Sequence, residues 1–497
     1  MHLEPIIGLE IHLQLKTQSK MFCSCPTHDK ALAPNVHICP ICVGHPGTLP
    51  VANKQAVEWT VLFGLALNCE ISSWSKFDRK NYFYPDLPKG YQVSQFDLPI
   101  AHDGYVDITF KQGPREHLRI GITRAHLEED AAKSFHQNGK TYVDFNRSST
   151  PLIETVTEPD FRSPAEAKTF LQELRLIARY LDISDADMEK GHMRCDANIS
   201  LREVDEHGVP IRDGLSPKTE IKNLNSFRSV ERALTYEIER QTHLWNAGTP
   251  PHQETTRGWN DEKQQTEEQR IKESAGDYRY FPDPDLPPLE LTILKDELQG
   301  SLPELPAEKR KRFIEEYFLP ENDGELICED IHLANYTEHV FSELYQWMKI
   351  KTETEKKALA KLMSSWLLSK LGGLLHERNM TIKDLKITPE NFAEFVSLLS
   401  SKRLPAQNGL LVLTEMLETG ADPSQILEEK NLGFVEDEGL IANAVDHVLE
   451  QQKEEVLRYK NGEKQLLTFF MGQVMKETKG KADPGVVSNM LKVKLEG

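Results

Sequence analysis

The sequence predicts an α+β protein, with a mixed N-terminal half built on an antiparallel sheet and a C-terminal half that is helical almost throughout. Three observations carry this. Apolar and polar residues alternate with strand period in several short segments. Capped amphipathic helices stand between those segments, and after Pro306 the helical pattern is nearly unbroken. A chain of 497 residues is long enough for several cores. We expect a catalytic domain at 1–295, a helical domain at 296–404 and a small helical tail at 405–497. The first boundary follows the polar stretch 252–276 and the proline-rich run Asp277–Pro288, which reads as an extended seam between domains. The second lies near Arg403–Gly409.

The first strand is the most legible element. Ile7, Leu9, Ile11, Leu13 and Leu15 form its packing face, while Glu10 and His12 stand side by side on the other. The alternation recurs at Met193–Leu201, with Arg194, Asp196 and Asn198 on the polar side, and again at Lys218–Lys222, which carries Glu220. If these two segments pair, Asp196 and Glu220 project from one face; the sequence does not establish that they meet Glu10. Ser163-Pro164-Ala165-Glu166 is a capping box that opens a helix with Phe170, Leu171, Leu174 and Ile177 as its buried stripe. A second helix begins near Ser226 and ends before Gly248.

Cys23-Ser24-Cys25 and Cys39-Pro40-Ile41-Cys42 place four thiols in two close pairs, the ligand set of one tetrahedral Zn²⁺. Four thiolates leave no open coordination position, so such a site is structural. Substitution of one cysteine by His28, His37 or His45 is the alternative ligand set. The other three cysteines, Cys69, Cys195 and Cys328, read as buried small hydrophobes, and an odd total of seven argues against a disulfide framework.

Glu10, His12, Glu128, Glu129, Asp130, Asp196 and Glu220 are hard oxygen ligands with one imidazole, which suits Mg²⁺ or Mn²⁺; a solvated acidic sheet face has the same composition. Walker A spacing around Gly139-Lys140-Thr141 fails at Ser134, and no Gly-x-Gly-x-x-Gly opens a helix. A nucleotide would therefore be gripped by metal and by basic groups such as Arg79 and Lys80. No amidase or glutaminase signature is present. Net charge is −19, so a nucleic acid would have to meet local basic surface, and the lysine-rich stretch after Arg458 is the candidate. No apolar run is long enough to span a membrane, and we expect a cytoplasmic protein.

Several of these segments together resemble the B subunit of the aspartyl/glutamyl-tRNA amidotransferase family. They are Ile7–His12, Lys76–Pro85, His126–Ala131, Asn146-Arg147, Pro151–Glu154, Glu158-Pro159-Asp160, Arg194–Ser200, Glu220–Phe227 and Asp277–Leu286. Leu302–Pro306, Gly472–Lys476 and Lys481–Pro484 extend the match into the C-terminal half. The resemblance implies a cradle-shaped catalytic domain, then a helical domain and a tRNA-contacting tail. It implies ATP-dependent phosphorylation of the side-chain carboxylate of misacylated Glu-tRNA(Gln) or Asp-tRNA(Asn). Ammonia from an amidase A subunit then attacks, and a small C subunit holds the pair together. Motif by motif it implies Mg²⁺ on Glu10, His12, Glu129, Asp196 and Glu220. Lys80 and Arg194 would neutralise phosphate or carboxylate charge, and Zn²⁺ would sit on Cys23, Cys25, Cys39 and Cys42. A non-catalytic tRNA-binding scaffold and a metal-dependent phosphate-ester hydrolase are the alternatives. His192 and Gln269 depart from the family pattern.

Overall fold

A computed structural model describes residues 2–27, 33–110, 115–271, 278–348, 352–430, 432, 438–478, 482 and 484–496. His28, Asp277, Lys479, Lys481 and Asp483 lie outside the described residues. The chain forms two compact units, Met1–Pro306 and Ala307–Gly497.

The first unit is built on a nine-stranded sheet. Its strands are β1 (His2–Gln14), β2 (Glu70–Ile71), β3 (Ala101–Thr109), β4 (His117–Glu129), β5 (Pro151–Thr157), β6 (Met193–Val204), β7 (Thr219–Leu224), β8 (Thr255–Asn260) and β9 (Gln265–Ile271). The spatial order is β9-β8-β7-β6-β1-β5-β4-β3-β2, and every neighbouring pair is antiparallel except β7 with β8. The alternation read from the sequence puts β1 at the centre, with Ile7, Leu9, Ile11 and Leu13 buried on one face. Helices α1 (Lys54–Ala66), α2 (Pro164–Tyr180) and α3 (Phe227–Asn246) contribute to the same core through Val61, Phe170, Leu174, Val230 and Leu234. Each such side chain removed from water contributes about 1.5–3 kcal/mol. Ser163 caps α2 by accepting from the Glu166 amide at 3.3 Å. The Glu166 carboxylate turns instead to the Arg162 amide at 2.7 Å and to Arg115, so the reciprocal half of the expected box is shifted by one residue.

The proline-rich run is no seam between domains. Phe281–Pro282 pairs with Asp78–Asn81, which in turn pairs with Tyr91–Ser94, while Leu289–Glu290 pairs with Trp74–Ser75. Leu286 and Leu291 join the core of the first unit, and the helix Thr292–Gln299 packs against it through Leu294 and Leu298. Prolines are tolerated here because these are short edge pairings that leave one side of the backbone unpaired. The unit therefore continues to Pro306, past the expected limit of 295.

The second unit is helical, as the sequence predicts, and has two cores. The larger gathers Phe313, Phe341, Met363, Phe392 and Phe395 with Val412, Leu413, Met416 and Ile426. The expected boundary at 404–405 thus cuts through a continuous core. Gly409 is not a linker residue: a Cβ there would come within 2.5 Å of the Trp366 ring, so the glycine is what lets the helix Ala406–Thr419 approach. The smaller core holds Val445, Phe470, Val474, Val487 and Leu491. Arg458, Lys464 and Lys494 of the basic tail pair with Glu463, Glu496 and Asp446, which leaves less excess charge than the sequence implied. Among the described residues no helix is long and apolar enough to cross a membrane.

Candidate active site

The polar face of the sheet concentrates its charge at the middle strands. In register, His12 of β1 stands opposite Glu154 of β5 and Arg194 of β6, while Glu10 stands opposite Asp196. Glu154 in turn faces His126 of β4. The His12 Nε2 atom lies 3.3 Å from Glu128 Oε1, 3.3 Å from Glu154 Oε2 and 3.9 Å from Glu10 Oε1. His126 Nε2 is 3.8 Å from the same Glu154 oxygen. Two ligand groups result, Glu10–His12–Glu154 and His126–Glu128–Glu154, each with its donor atoms within 4.8 Å of one another. Oxygen and nitrogen ligands around an octahedral Mg²⁺ stand about 2.9–4.2 Å apart, given bonds of ~2.1 Å, so this donor set fits such an ion. Two buried atoms of these residues, Glu128 Oε2 and His126 Nδ1, have no hydrogen-bond partner.

Electrostatics describes the same strain. The charge of Glu154, then burial, pushes the Glu10 carboxyl up to about 7, against the pull of His12 and Lys80. Burial alone would depress the His12 imidazolium, but Glu128 and Glu154 hold it well above its usual value. Burial keeps His126 below the ordinary range. Glu154 is driven up by burial and down by His126, His12 and Lys80, and the outcome lies well below its usual value. Protons thus occupy the positions that a divalent cation would take. Without the ion, the folded state holds protons on Glu10 and His12 that the unfolded chain has released. Glu10 and His12 therefore contribute a stability that falls as pH rises from about 5 towards 8, whereas the depressed His126 and Cys42 act in the opposite sense. A Glu10→Gln variant is thus expected to lose less stability than the parent over that rise. Mg²⁺ is expected to bind more tightly over the same rise and to release protons. Calorimetric titration in two buffers of different ionisation enthalpy, with melting curves at pH 6 and 8, checks both signs.

Lys80 projects over this group from the strand Asp78–Asn81. Burial opposes its charge, but Glu154 and Glu128 raise the ammonium above its usual value, and it rests 4.9 Å from the centre of the Tyr278 ring. Its neighbour Arg79 points the other way. Arg79 binds Asp283 at 2.7 Å and Asp285 at 3.1 Å and lies over Tyr91, so it clamps the proline-rich run and does not face the cluster. Arg194 reaches Asp130 at 2.7 Å. Asp196 and Glu220 do share a face: Lys222 joins them at 2.7 and 3.4 Å, and Thr256 donates to Glu220 at 3.0 Å.

Glu129 is not brought to the cluster. Its carboxylate is on the opposite face of β4, bonded to Lys89 and to the Val93 amide at 2.9 Å, while Glu128 takes the place the sequence reading gave it. The side-chain parity of β4 changes at Thr123, where its register with β5 shifts between Val156 and Thr157. Glu154 and His126 were given no role from the sequence. A single acid inside the otherwise apolar or β-branched run Pro151–Thr157 was the available signal.

The four thiols Cys23, Cys25, Cys39 and Cys42 have their sulfurs within 4.8 Å of one another, which suits a Zn²⁺ whose tetrahedral sulfurs stand about 3.8 Å apart. Cys42 is held down to about 4 by the Cys23 thiol, the Cys39 amide and the Lys20 ammonium, against burial. Cys69, Cys195 and Cys328 are buried singly, as expected.

With this geometry in place, comparison with known proteins is decisive. The family model of the GatB/GatE catalytic domain matches residues 5–295, and a GatB domain model matches 349–495. The chain belongs to the GatB family. Among similar proteins, the B subunit of the aspartyl/glutamyl-tRNA(Asn/Gln) amidotransferase of Persephonella marina is 45% identical over 492 residues, 99% of each chain. The corresponding B subunits of Thermotoga maritima and Brevibacillus brevis are each 44% identical, covering 100% and 98% of both chains. The GatB catalytic match covers the nine-stranded sheet from residue 5 onward, and so both the carboxylate–histidine group and the cysteine cluster.

Proposed function

We propose that this chain activates the side-chain carboxylate of Glu-tRNA(Gln) or Asp-tRNA(Asn) by ATP-dependent phosphorylation and passes the acyl phosphate to ammonia. The observation that carries the reading is the convergence of Glu10, His12, Glu128 and Glu154, with the half-buried Lys80 ammonium held charged by Glu154 and Glu128. Phosphoryl transfer demands positioning and charge neutralisation more than a covalent nucleophile, and this group offers both.

Glu10, His12, Glu128 and Glu154 would hold Mg²⁺, which would supply positive charge to offset that of the transferring phosphoryl group. Lys80 adds a fixed positive charge on the other side of the transferring group. Arg194 orients the attacking carboxylate, and Asp196 with Lys222 borders the same space. A recess of about 650 Å³ adjoins Glu10 along the face, lined by Gly8, Val156, Asn198, Ser200 and Lys218, and offers room for part of a nucleotide. The carboxylate oxygen displaces ADP from the γ-phosphorus; ammonia then displaces phosphate from the acyl carbon, giving the amide.

The relatives share the designation of a B subunit, which supports assembly with further chains. The lack of an amidase motif here assigns ammonia release to a partner A subunit, with a small C subunit to hold the two together. Lys460, Lys476 and Lys492 of the tail are the groups we assign to tRNA phosphates, in a cytoplasmic enzyme. Zn²⁺ on the four cysteines would hold the loop that carries them.

The test supplies the assembled complex with Glu-tRNA(Gln), ATP, Mg²⁺ and ammonium chloride and measures Gln-tRNA(Gln). Ammonium bypasses the amidase, so product that requires ATP reports on this chain alone. ATP-independent product, or none with either Glu-tRNA or Asp-tRNA, would overturn the reading.

A further inference from the structure

Lys133–Gln137 and Lys140–Asp144 form a hairpin whose base is tied to the cysteine loop at several points. Asn146 accepts from the His37 amide at 2.9 Å and donates to the Ala33 carbonyl at 3.0 Å. Asn35 donates to the Val143 carbonyl at 3.1 Å and accepts from the Phe145 amide at 2.8 Å. Lys20, fully buried, spans the two: its ammonium donates to the His37 carbonyl at 2.9 Å and the Phe145 carbonyl at 3.1 Å, and lies 3.6 Å from Cys42 Sγ. A buried ammonium is tolerated only with such partners. Ser149, at the end of this segment, is a buried non-glycine residue with φ of 66°, held by hydrogen bonds to Met21 and Asp130. Backbone of that kind persists where its surroundings over-determine it.

The segment so fixed carries Arg147. Its guanidinium reaches Asp130 at 3.0 Å, and the same Asp130 oxygen receives Arg194 at 2.7 Å. Among the described residues Asp130 is the one carboxylate paired with Arg194, whose Nε is buried without a partner. Where Arg147 stands therefore decides how Asp130 presents itself to Arg194.

We propose that Asn146 is a positioning residue: it fixes the 143–149 segment to the cysteine loop and, through Arg147 and Asp130, sets the Arg194 guanidinium at the reaction centre. The cysteine loop then shapes an active-site cation as well as local stability. The inference rests on the role given to Arg194 above.

The test is a double-mutant cycle on the assembled complex in the ammonium-driven assay, using Asn146→Ala, Arg194→Lys and both together. Asn146→Ala is expected to lower kcat/KM about tenfold, the equivalent of one or two net hydrogen bonds. Zinc per chain should be unchanged and amide exchange at Ser149 faster. In the Arg194→Lys background the same change should cost nothing further. Equal fold-losses in both backgrounds would show a general structural effect and overturn the inference. An Arg194→Lys complex as active as the parent would sink the role of Arg194 itself, and the inference with it. If Asn146→Ala fails to fold, Asn35→Gly replaces it; Asn35 is exposed with φ of 62°, which glycine adopts without strain.

Discussion

Glu154→Gln is expected to cut ATP-dependent amidation at least about a thousandfold, the loss typical of a preorganised charge at a reaction centre. Glu154 is the one carboxylate common to both ligand groups, touching His12 at 3.3 Å and His126 at 3.8 Å. Glutamine keeps its shape but removes the charge that a divalent ion requires, so Mg²⁺ binding measured by calorimetry should disappear with turnover. Glu129→Gln is the contrasting variant. It strands the largely buried Lys89 ammonium and should lower stability by roughly 3 kcal/mol. The folded fraction should keep activity within about tenfold. The opposite pattern, with turnover surviving Glu154→Gln and abolished in well-folded Glu129→Gln, would place the metal where the sequence alone had assigned it.

Cys39→Ser is expected to release the metal from the cysteine cluster and to lower stability by at least about 3 kcal/mol, since structural zinc contributes binding free energy directly to folding. The Cys39 amide also donates to Cys42 Sγ at 3.2 Å, and Lys20 needs the thiolate as its counter-charge, so the damage should spread to the base of the hairpin. Zinc per chain by elemental analysis and melting curves with and without a chelator check this. Full zinc content in the variant would exclude the four-thiolate site.

Strand alternation made β1 and β6 legible from the sequence, because residues 7–15 and 193–201 have one buried and one polar face. Glu10, His12, Arg194 and Asp196 followed from that. The choice between Glu128 and Glu129 could not follow. Parity along β4 changes at Thr123, opposite an Asp103 with φ of 50° in β3, and an irregularity of that kind is a property of pairing, not of composition. Arg79 was misread for a related reason. Successive residues of Asp78–Asn81 point to opposite faces, so Lys80 meets the carboxylates while Arg79 is consumed by Asp283 and Asp285, two hundred residues away. The prolines of 282–288 obscured that contact, since they signal a linker and an edge pairing equally well.

The central position of β1 also bears on how the chain is made. Its two neighbours enter only at residues 151 and 193, so at ordinary rates of synthesis the strand waits on the order of ten seconds for both flanks. Throughout that interval Ile7, Leu9, Ile11 and Leu13 have no sheet to pack with, and the emerging polypeptide carries a sticky, unpaired ribbon. Glu10 and His12 are thus translated well before Glu128 and Glu154, the residues they converge with. Before residue 193 has emerged, that ribbon is an edge open to other chains, a hazard the finished fold no longer presents.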